Sequence, residues 1–205
     1  MNETAHTSTV HRDYIGSKLG MWLFLFTEIL LFGGLFLVYA VYRSMHSSEF
    51  HEAALELNVV IGAINTVILL TSSLTMALAI TSVQRGNARA SVRLQWVTIL
   101  LGLVFLVNKY FEWNAKLHHG IYPGSEELLS RSHGQILFYG LYYSMTGLHA
   151  VHVIVGLALI GFMLRSTATG GIHAAEFGRL ENAGLYWHLV DLIWIYLFPL
   201  FYLMS

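Results

Sequence analysis

Five apolar runs, each as long as a bilayer's hydrocarbon core demands, govern what this chain can become. A core about 30 Å thick takes about 20 helical residues to cross, and residues 19–42, 57–80, 94–113, 136–164 and 183–204 meet that length. Hydrocarbon supplies no hydrogen-bond partners, so each run must satisfy its own backbone. None alternates as barrel strands do. The expectation is an all-α fold, a polytopic membrane bundle of five transmembrane helices. The connectors are short and collect Gly, Ser, Pro and charge, leaving no room for a second domain. A polar N-terminal tail, 1–18, is therefore expected ahead of one transmembrane domain, 19–205. The first run is too long for a signal-peptide core and no small-x-small cleavage site follows it, so it is expected to stay.

Composition narrows the chemistry. Only 11% of the residues are charged, against about 25% in ordinary soluble domains. There is no cysteine, which removes disulfides, thiolate metal sites, iron–sulfur clusters and covalent c-type haem. A net charge of -1 leaves no footprint for nucleic acid. Sorting the basic residues gives an orientation. Arg12, Lys18, Arg85, Arg89, Arg93, Arg165 and Arg179 fall on one side, and Arg43, Lys116 and Arg131 on the other. The positive-inside rule then places the N-terminus in the cytoplasm and the C-terminus outside.

An ionisable side chain at mid-bilayer costs about 2.5 to 3.5 kcal/mol even on lenient insertion scales, so each one needs a partner, a proton or a purpose. Glu28 lies in the first run, Lys109 and Glu112 in the third, His149 and His152 in the fourth, and His188 and Asp191 in the fifth. Residues three apart share a helix face, so each pair is expected to form one polar stripe. In the fourth run Thr146 and Gly156 extend it. The second run is uncharged, but Asn65, Thr66, Ser72 and Ser73 can bond neighbouring helices. The plain reading of all these groups is that they hold the bundle together. Lys109 can pair with Glu112 or snorkel to the interface.

Glu28 differs, because "WLFLFTEILLFGGLF" gives it only Thr27 as a polar neighbour in sequence. Desolvation leaves such an acid protonated or bonded to another helix. Proton exchange and a purely structural role both fit. Histidines on facing helices can clamp a haem or, with carboxylates, a metal, but the i, i+3 spacings are not diagnostic. A stand-alone b-type cytochrome and a small proton-coupled transporter using Glu28 and Asp191 are therefore competing classes, although no inverted repeat or broken helix supports the transporter. Trp22, Tyr42, Tyr110, Trp113, Tyr186, Trp187 and Tyr202 fall near run ends, where interfacial aromatic belts are expected. Trp194 lies deeper, as a packing residue. Pro199 frees the Ile195 carbonyl, so a kink is expected near the end of the last run.

Several segments together resemble subunit III of haem-copper respiratory oxidases: "GMWLFLFTEILLFGGLF", "INTVILLTSSLTMALA", "KYFEW", "TGLHAVHVIVG" and "ENAGLYWHLVDLIWIYLFPLFYLMS", in that order. The resemblance runs from Lys18 to Ser205, and its most specific parts are W-H-x-V-D-x-x-W and G-x-H-x-x-H-V-x-x-G. It implies a subunit without its own redox centre, set beside catalytic subunit I, with subunit II and other respiratory subunits as partners and haem and copper held by those partners. It further implies bound phospholipid, support of proton uptake, and residence in a bacterial inner membrane. The family's first-span glutamate falls on Glu28. Its internal polar network falls on His149, His152, His188 and Asp191, to which Glu112 and Lys109 are added. Arg165 is a candidate lipid-phosphate contact. Longer relatives have two further N-terminal helices, so the resemblance is to the short bacterial form. Lys109 stands where many relatives carry another acid. A cytochrome c oxidase is favoured, with quinol oxidase and nitric-oxide-reductase-associated homologues as alternatives.

Overall fold

The computed structural model describes the backbone of residues 3–203 and the side chains of residues 16–203. The Arg12 side chain, Met204 and Ser205 fall outside the described residues. The described chain is helical almost throughout: α1 Glu3–Met45, α2 Ser47–Leu55, α3 Val59–Gln84, α4 Ala88–His118, α5 Glu126–Leu129, α6 His133–Ala168 and α7 Gly178–Phe198, closed by a π-helical turn, Pro199–Leu203. Five of these helices are long and apolar enough to cross a membrane: Gly16–Met45, Val59–Gln84, Ala88–His118, His133–Ala168 and Gly178–Leu203. The spans expected from sequence are all present; most of the helices extend beyond the apolar runs, while the second begins at Val59 rather than at residue 57. Residues 3–18 continue the helix of the first span rather than leaving it at residue 19.

Helix ends follow local chemistry. Asn58 caps α3 by accepting from the Val60 and Ile61 amides, and Asn87, Ser125 and Ser132 cap α4, α5 and α6 the same way. At the far end of α3, Gly86 takes φ +76°, its amide bonds the Val83 carbonyl, and the Asn87 amide bonds that of Ser82. That left-handed glycine stops the helix and satisfies its last carbonyls in one turn.

Helices α3, α4, α6 and α7 form the core, with α1 laid against α6 and α7. Half of the most apolar window of α7 is buried inside the protein, but only 11% of that of α1, so α7 is the axis and α1 its flank. Glycines let the Trp187 indole into the centre. A Cβ at Gly156 or Gly102 would lie 2.7 and 2.9 Å from indole carbons, and Trp187 is fully buried with its Nε1–H donated to Ser72. Trp187, Tyr186 and Tyr202 are thus core residues, not members of an interfacial belt, whereas Trp22 and Tyr110 are exposed. Their place near a run end says only how deep they sit, not which way they face.

The connectors expected to be irregular contain α2 and α5. Phe50, Ala53 and Ala54 bury one side of α2, at the i, i+3, i+4 spacing of an amphipathic helix, and Leu57 just past its end is buried too. Its acids Glu49 and Glu52, with Glu56 at its C-terminal cap, clasp the start of α6. Glu49 accepts from the Gly134 amide, Glu52 from Gln135 at 3.1 Å, and Glu56 from Tyr139 and Arg131, both at 2.6 Å. Carboxylates at the N-terminus of a helix also meet the positive end of its dipole.

This clasp should weaken in acid. Burial works against the Glu56 charge, but hydrogen bonds from Tyr139 and Arg131 and the charges of Arg131 and Lys116 outweigh it and hold its pKa below 4.5. A bond from Ser132, opposed by desolvation and aided by the Gly134 amide and His46, does the same for Glu49. A folded pKa below the unfolded value gives stability that is full above the unfolded value and lost as pH falls through the folded one. Hydrogen exchange across residues 133–139, corrected for intrinsic rates, should be flat from neutral pH to about 5 and accelerate below about 4. Unchanged protection at acid pH would show that these carboxylates do not hold α6.

Candidate functional site

Polar side chains inside the bundle fall into three groups, each joining different helices. The first centres on Lys109 of α4, 4% exposed, and Glu112, 7% exposed. The Lys109 ammonium donates to Glu112 at 3.1 Å, to the Tyr142 hydroxyl of α6 at 3.1 Å and to the Tyr202 hydroxyl of the π-helical turn at 3.0 Å. Tyr142 and Tyr202 in turn donate to the other Glu112 oxygen at 2.6 and 2.5 Å. The ammonium also lies 5.0 and 5.3 Å from the ring centres of Tyr142 and Trp194, a favourable place for a desolvated cation. Of the two fates open to Lys109, pairing wins over snorkelling, because α4 runs two turns past Lys109 and carries it into the core. Tyr142 was not singled out in the sequence, and Tyr202 was expected only as an interfacial aromatic. The freed carbonyls around Pro199 were the available signal, since they permit the π-turn that swings Tyr202 inward.

The second group joins α6 to α1. His152 Nε2 lies 2.9 Å from Glu28 Oε2, with the two side chains 14% and 15% exposed. His152 Nδ1 lies 2.8 Å from the Leu148 carbonyl, which can only accept, so Nδ1 carries a hydrogen. The Phe32 ring meets the imidazole edge-on at 5.2 Å between centres, and Tyr186 stacks at 6.4 Å. Glu28, isolated in sequence, is bonded to another helix as one of its two expected states required.

The expected stripe of His149 with His152 is not formed. Three residues advance a helix by about 300°, leaving side chains about 60° apart, enough for the two rings to face different neighbours. His149 is fully buried between Phe105 and Trp194, at 5.6 and 5.4 Å between ring centres.

The third group joins α7 to α3. His188 Nδ1 and the Ser73 hydroxyl are 2.6 Å apart, Trp187 bonds Ser72, and Trp194 Nε1–H donates to Thr66 at 3.1 Å. Asn65 accepts from Asn108 of α4 at 2.9 Å. All four polar residues expected to tie the second span to its neighbours do so. His188 and Asp191, however, are not bonded directly to each other; both face Ser73 of α3, whose hydroxyl is 2.6 Å from His188 Nδ1 and also interacts with the Asp191 carboxyl. Arg165 is exposed near the end of α6, apart from these groups.

Among the described residues no three His, Asp or Glu side chains gather as a metal site. Both His152 nitrogens and one of His188 are engaged by protein groups, whereas both His149 nitrogens are buried without a hydrogen-bond partner.

Comparison with known proteins follows the same pattern. The family model for cytochrome c oxidase subunit III matches residues 2–205. Cytochrome c oxidase subunit 3 of Thermostichus vulcanus is 33% identical over 95% of this chain and 90% of its own length. A heme-copper oxidase subunit I+III of Aeropyrum pernix is 31% identical over 91% of this chain and 22% of that protein. A cytochrome bo(3) ubiquinol oxidase subunit 3 of Pseudomonas aeruginosa is 29% identical over all of this chain and 93% of its own.

Removing one member of a buried ion pair costs about 3–5 kcal/mol, whereas apolar replacement of both is often near neutral. Lys109→Met should therefore lower the thermal midpoint of the purified assembly by several degrees. Lys109→Met with Glu112→Leu should recover much of the loss, the remainder reflecting two tyrosine hydroxyls left without an acceptor. A single variant as stable as the parent would show that the pair carries little of the packing.

Proposed function

The chain belongs to the cytochrome c oxidase subunit III family and is a subunit III of a haem-copper oxidase, and from that premise we propose that it acts without a redox centre of its own. It is a multi-pass membrane protein, and its relatives are parts of an oxidoreductase complex. Its place in a complex with other oxidase subunits agrees with the fused I+III relative. In the proposed reading it braces subunit I beside subunit II in a bacterial inner membrane, with its N-terminus cytoplasmic, binds phospholipid, and supports proton uptake. Haem and copper belong to its partners. The excess of basic residues on the side of the α3–α4 turn supports that orientation.

The observation that carries the proton-linked part is the Glu28–His152 contact. Because Nδ1–H is committed to Leu148, one proton sits between Nε2 and Oε2. It rests either on the acid, donating to a neutral ring, or on the ring, donating to a carboxylate. Both forms keep the same 2.9 Å bond, so a proton can be held or passed on with little movement of heavy atoms. The side chains are partly exposed at the flank formed by α1, where another subunit or lipid completes the surroundings. The relatives' printed names include both cytochrome c and ubiquinol oxidases. A cytochrome c oxidase remains the favoured reading, with the donor handled by other subunits.

Glu28→Gln tests the proton role with nearly the same shape. The variant should assemble with its partners and keep its thermal midpoint, lose modification by a hydrophobic carbodiimide, and show a severalfold shorter turnover lifetime in proton-pumping vesicles. Unchanged pumping and lifetime would reduce Glu28 to a packing residue. Purification of the native assembly in mild detergent, with its haem, copper and subunits identified, tests the accessory role. Stoichiometric haem on the isolated chain would end it.

A further inference from the structure

Helix α7 is covered on most sides and open on one. Helices α1, α3 and α6 all rest on it, and the side left over carries His188, Leu192 and Ile195, which share a face by their spacing of four and three residues. Tyr196 stands beside them, and Leu192, Ile195 and Tyr196 are 49%, 41% and 56% accessible. The open side is a trough with α7 as its floor and α1 and α3 as its walls. Toward α1 it deepens into a cavity of about 290 Å³ lined by Ile29, Gly33, Leu192 and Tyr196 among others, and a Cβ at Gly33 would meet nothing within 4 Å.

An imidazole is an odd group to leave on that floor. His188 lies near the middle of the span Gly178–Leu203 and is only half-buried. Its Nδ1 meets the Ser73 hydroxyl, which also interacts with the Asp191 carboxyl. Its Nε2 has no partner among the described residues and is not enclosed by them. A lone carboxylate in hydrocarbon is costly, which leaves the trio two arrangements without net charge. With the proton on Asp191, the acid donates to Ser73 and Ser73 donates to Nδ1, so the hydrogen of the neutral ring is on Nε2. With the proton on the imidazole, both ring nitrogens carry hydrogen. In either arrangement Nε2–H is a donor that faces the trough.

The depth of that donor decides what can answer it. Lipid oxygens lie at the two interfaces, and acyl chains at mid-bilayer offer no acceptor. The carbonyls of a neighbouring helix are engaged in its own ladder, so the acceptor must be a side chain. We propose that the trough between α1 and α3 seats one transmembrane helix of a partner subunit, which places a side-chain oxygen against His188 Nε2 and apolar residues against Leu192 and Ile195. Interhelical bonds of this kind fix which faces meet where apolar packing alone does not. A relative named as a fused subunit I+III agrees with a partner held close to this fold. The proposal rests on the accessory-subunit reading given above and names a face and a contact for it.

A benzophenone amino acid in place of Leu192 or Ile195 changes an exposed side chain and leaves the fold intact. Illuminated in native membranes, it should join this chain to another subunit, and mass spectrometry of the adduct should find a transmembrane segment with a hydroxyl, amide or carboxyl side chain at the depth of His188. Adducts with lipid alone, or with a second copy of this chain, would overturn the proposal. In the assembly purified in mild detergent, His188→Phe keeps the ring and removes the donor, and retention of the chain should fall about fivefold. His188→Gln returns an N–H near the place of Nε2 and should restore most of it. Retention unmoved in His188→Phe would also overturn the proposal, and if that variant fails to fold the adducts decide. Haem, copper and subunit content of the same preparation are measured separately. Partner subunits present without an adduct end this proposal alone, whereas a chain isolated with its own haem ends the accessory-subunit reading.

Discussion

Hydrocarbon supplies no hydrogen bonds, and every other feature of this bundle follows from that constraint. A polar group that enters the core is costly unless the protein answers it, so most such groups here become ties between particular helices, His149 being an exception. Lys109 and Glu112 require donors and acceptors from α4, α6 and the chain end together. Glu28 requires α6, and the hydroxyls and amides of α3 require α4 and α7. Apolar packing alone discriminates poorly between helices in lipid, because the alternative surroundings are equally apolar. The polar ties therefore fix which faces meet.

The end of α7 shows how backbone and side chain serve the same constraint. Pro199 cannot donate to the preceding turn, and the chain relaxes into a π-helical turn over residues 199–203. That wider turn places Tyr202 on Glu112, while the Leu200 carbonyl accepts from Tyr39 of α1 at 2.5 Å. A local defect in the helix thus joins the flanking helix to the buried ion pair. Phe201, fully buried, fills the space between and packs edge-on against Tyr39, Phe138 and Tyr142.

What the sequence made legible was depth, and what it concealed was direction. The five spans, the Lys109–Glu112 pair and the hydrogen bonds of Asn65, Thr66, Ser72 and Ser73 all follow from hydropathy and residue type. The facing of His149 against His152 does not. A separation of about 60° around a helix is small enough to look like one stripe and large enough to address two neighbours. Trp187 and Tyr202 illustrate the same point, since both lie near run ends by count yet point inward. The short helix α2 was hidden for a different reason. Its nine residues fall within a polar connector, and only the spacing of Phe50, Ala53 and Ala54 marks an apolar face.

The two ends of the molecule are stabilised by unlike means, and this bears on how α6 is held. At one end the ties are few and largely neutral or exposed: Gln95 donates to Ser91 and Thr167, and Lys18 pairs with Glu181. At the other, the acids of α2 hold the first turns of α6 and the buried cations Lys109 and Lys116 lie close behind. Helix α6 carries both His149 and His152, so its position decides whether His152 reaches Glu28. Three residues on α6 span about 4.5 Å of rise, and a displacement of even a fraction of that would break a 2.9 Å contact. The charged clasp at one end and the Glu28–His152 bond near the middle of α6 are therefore parts of a single mechanical element. The first sets where the helix stands, and the second depends on it standing there.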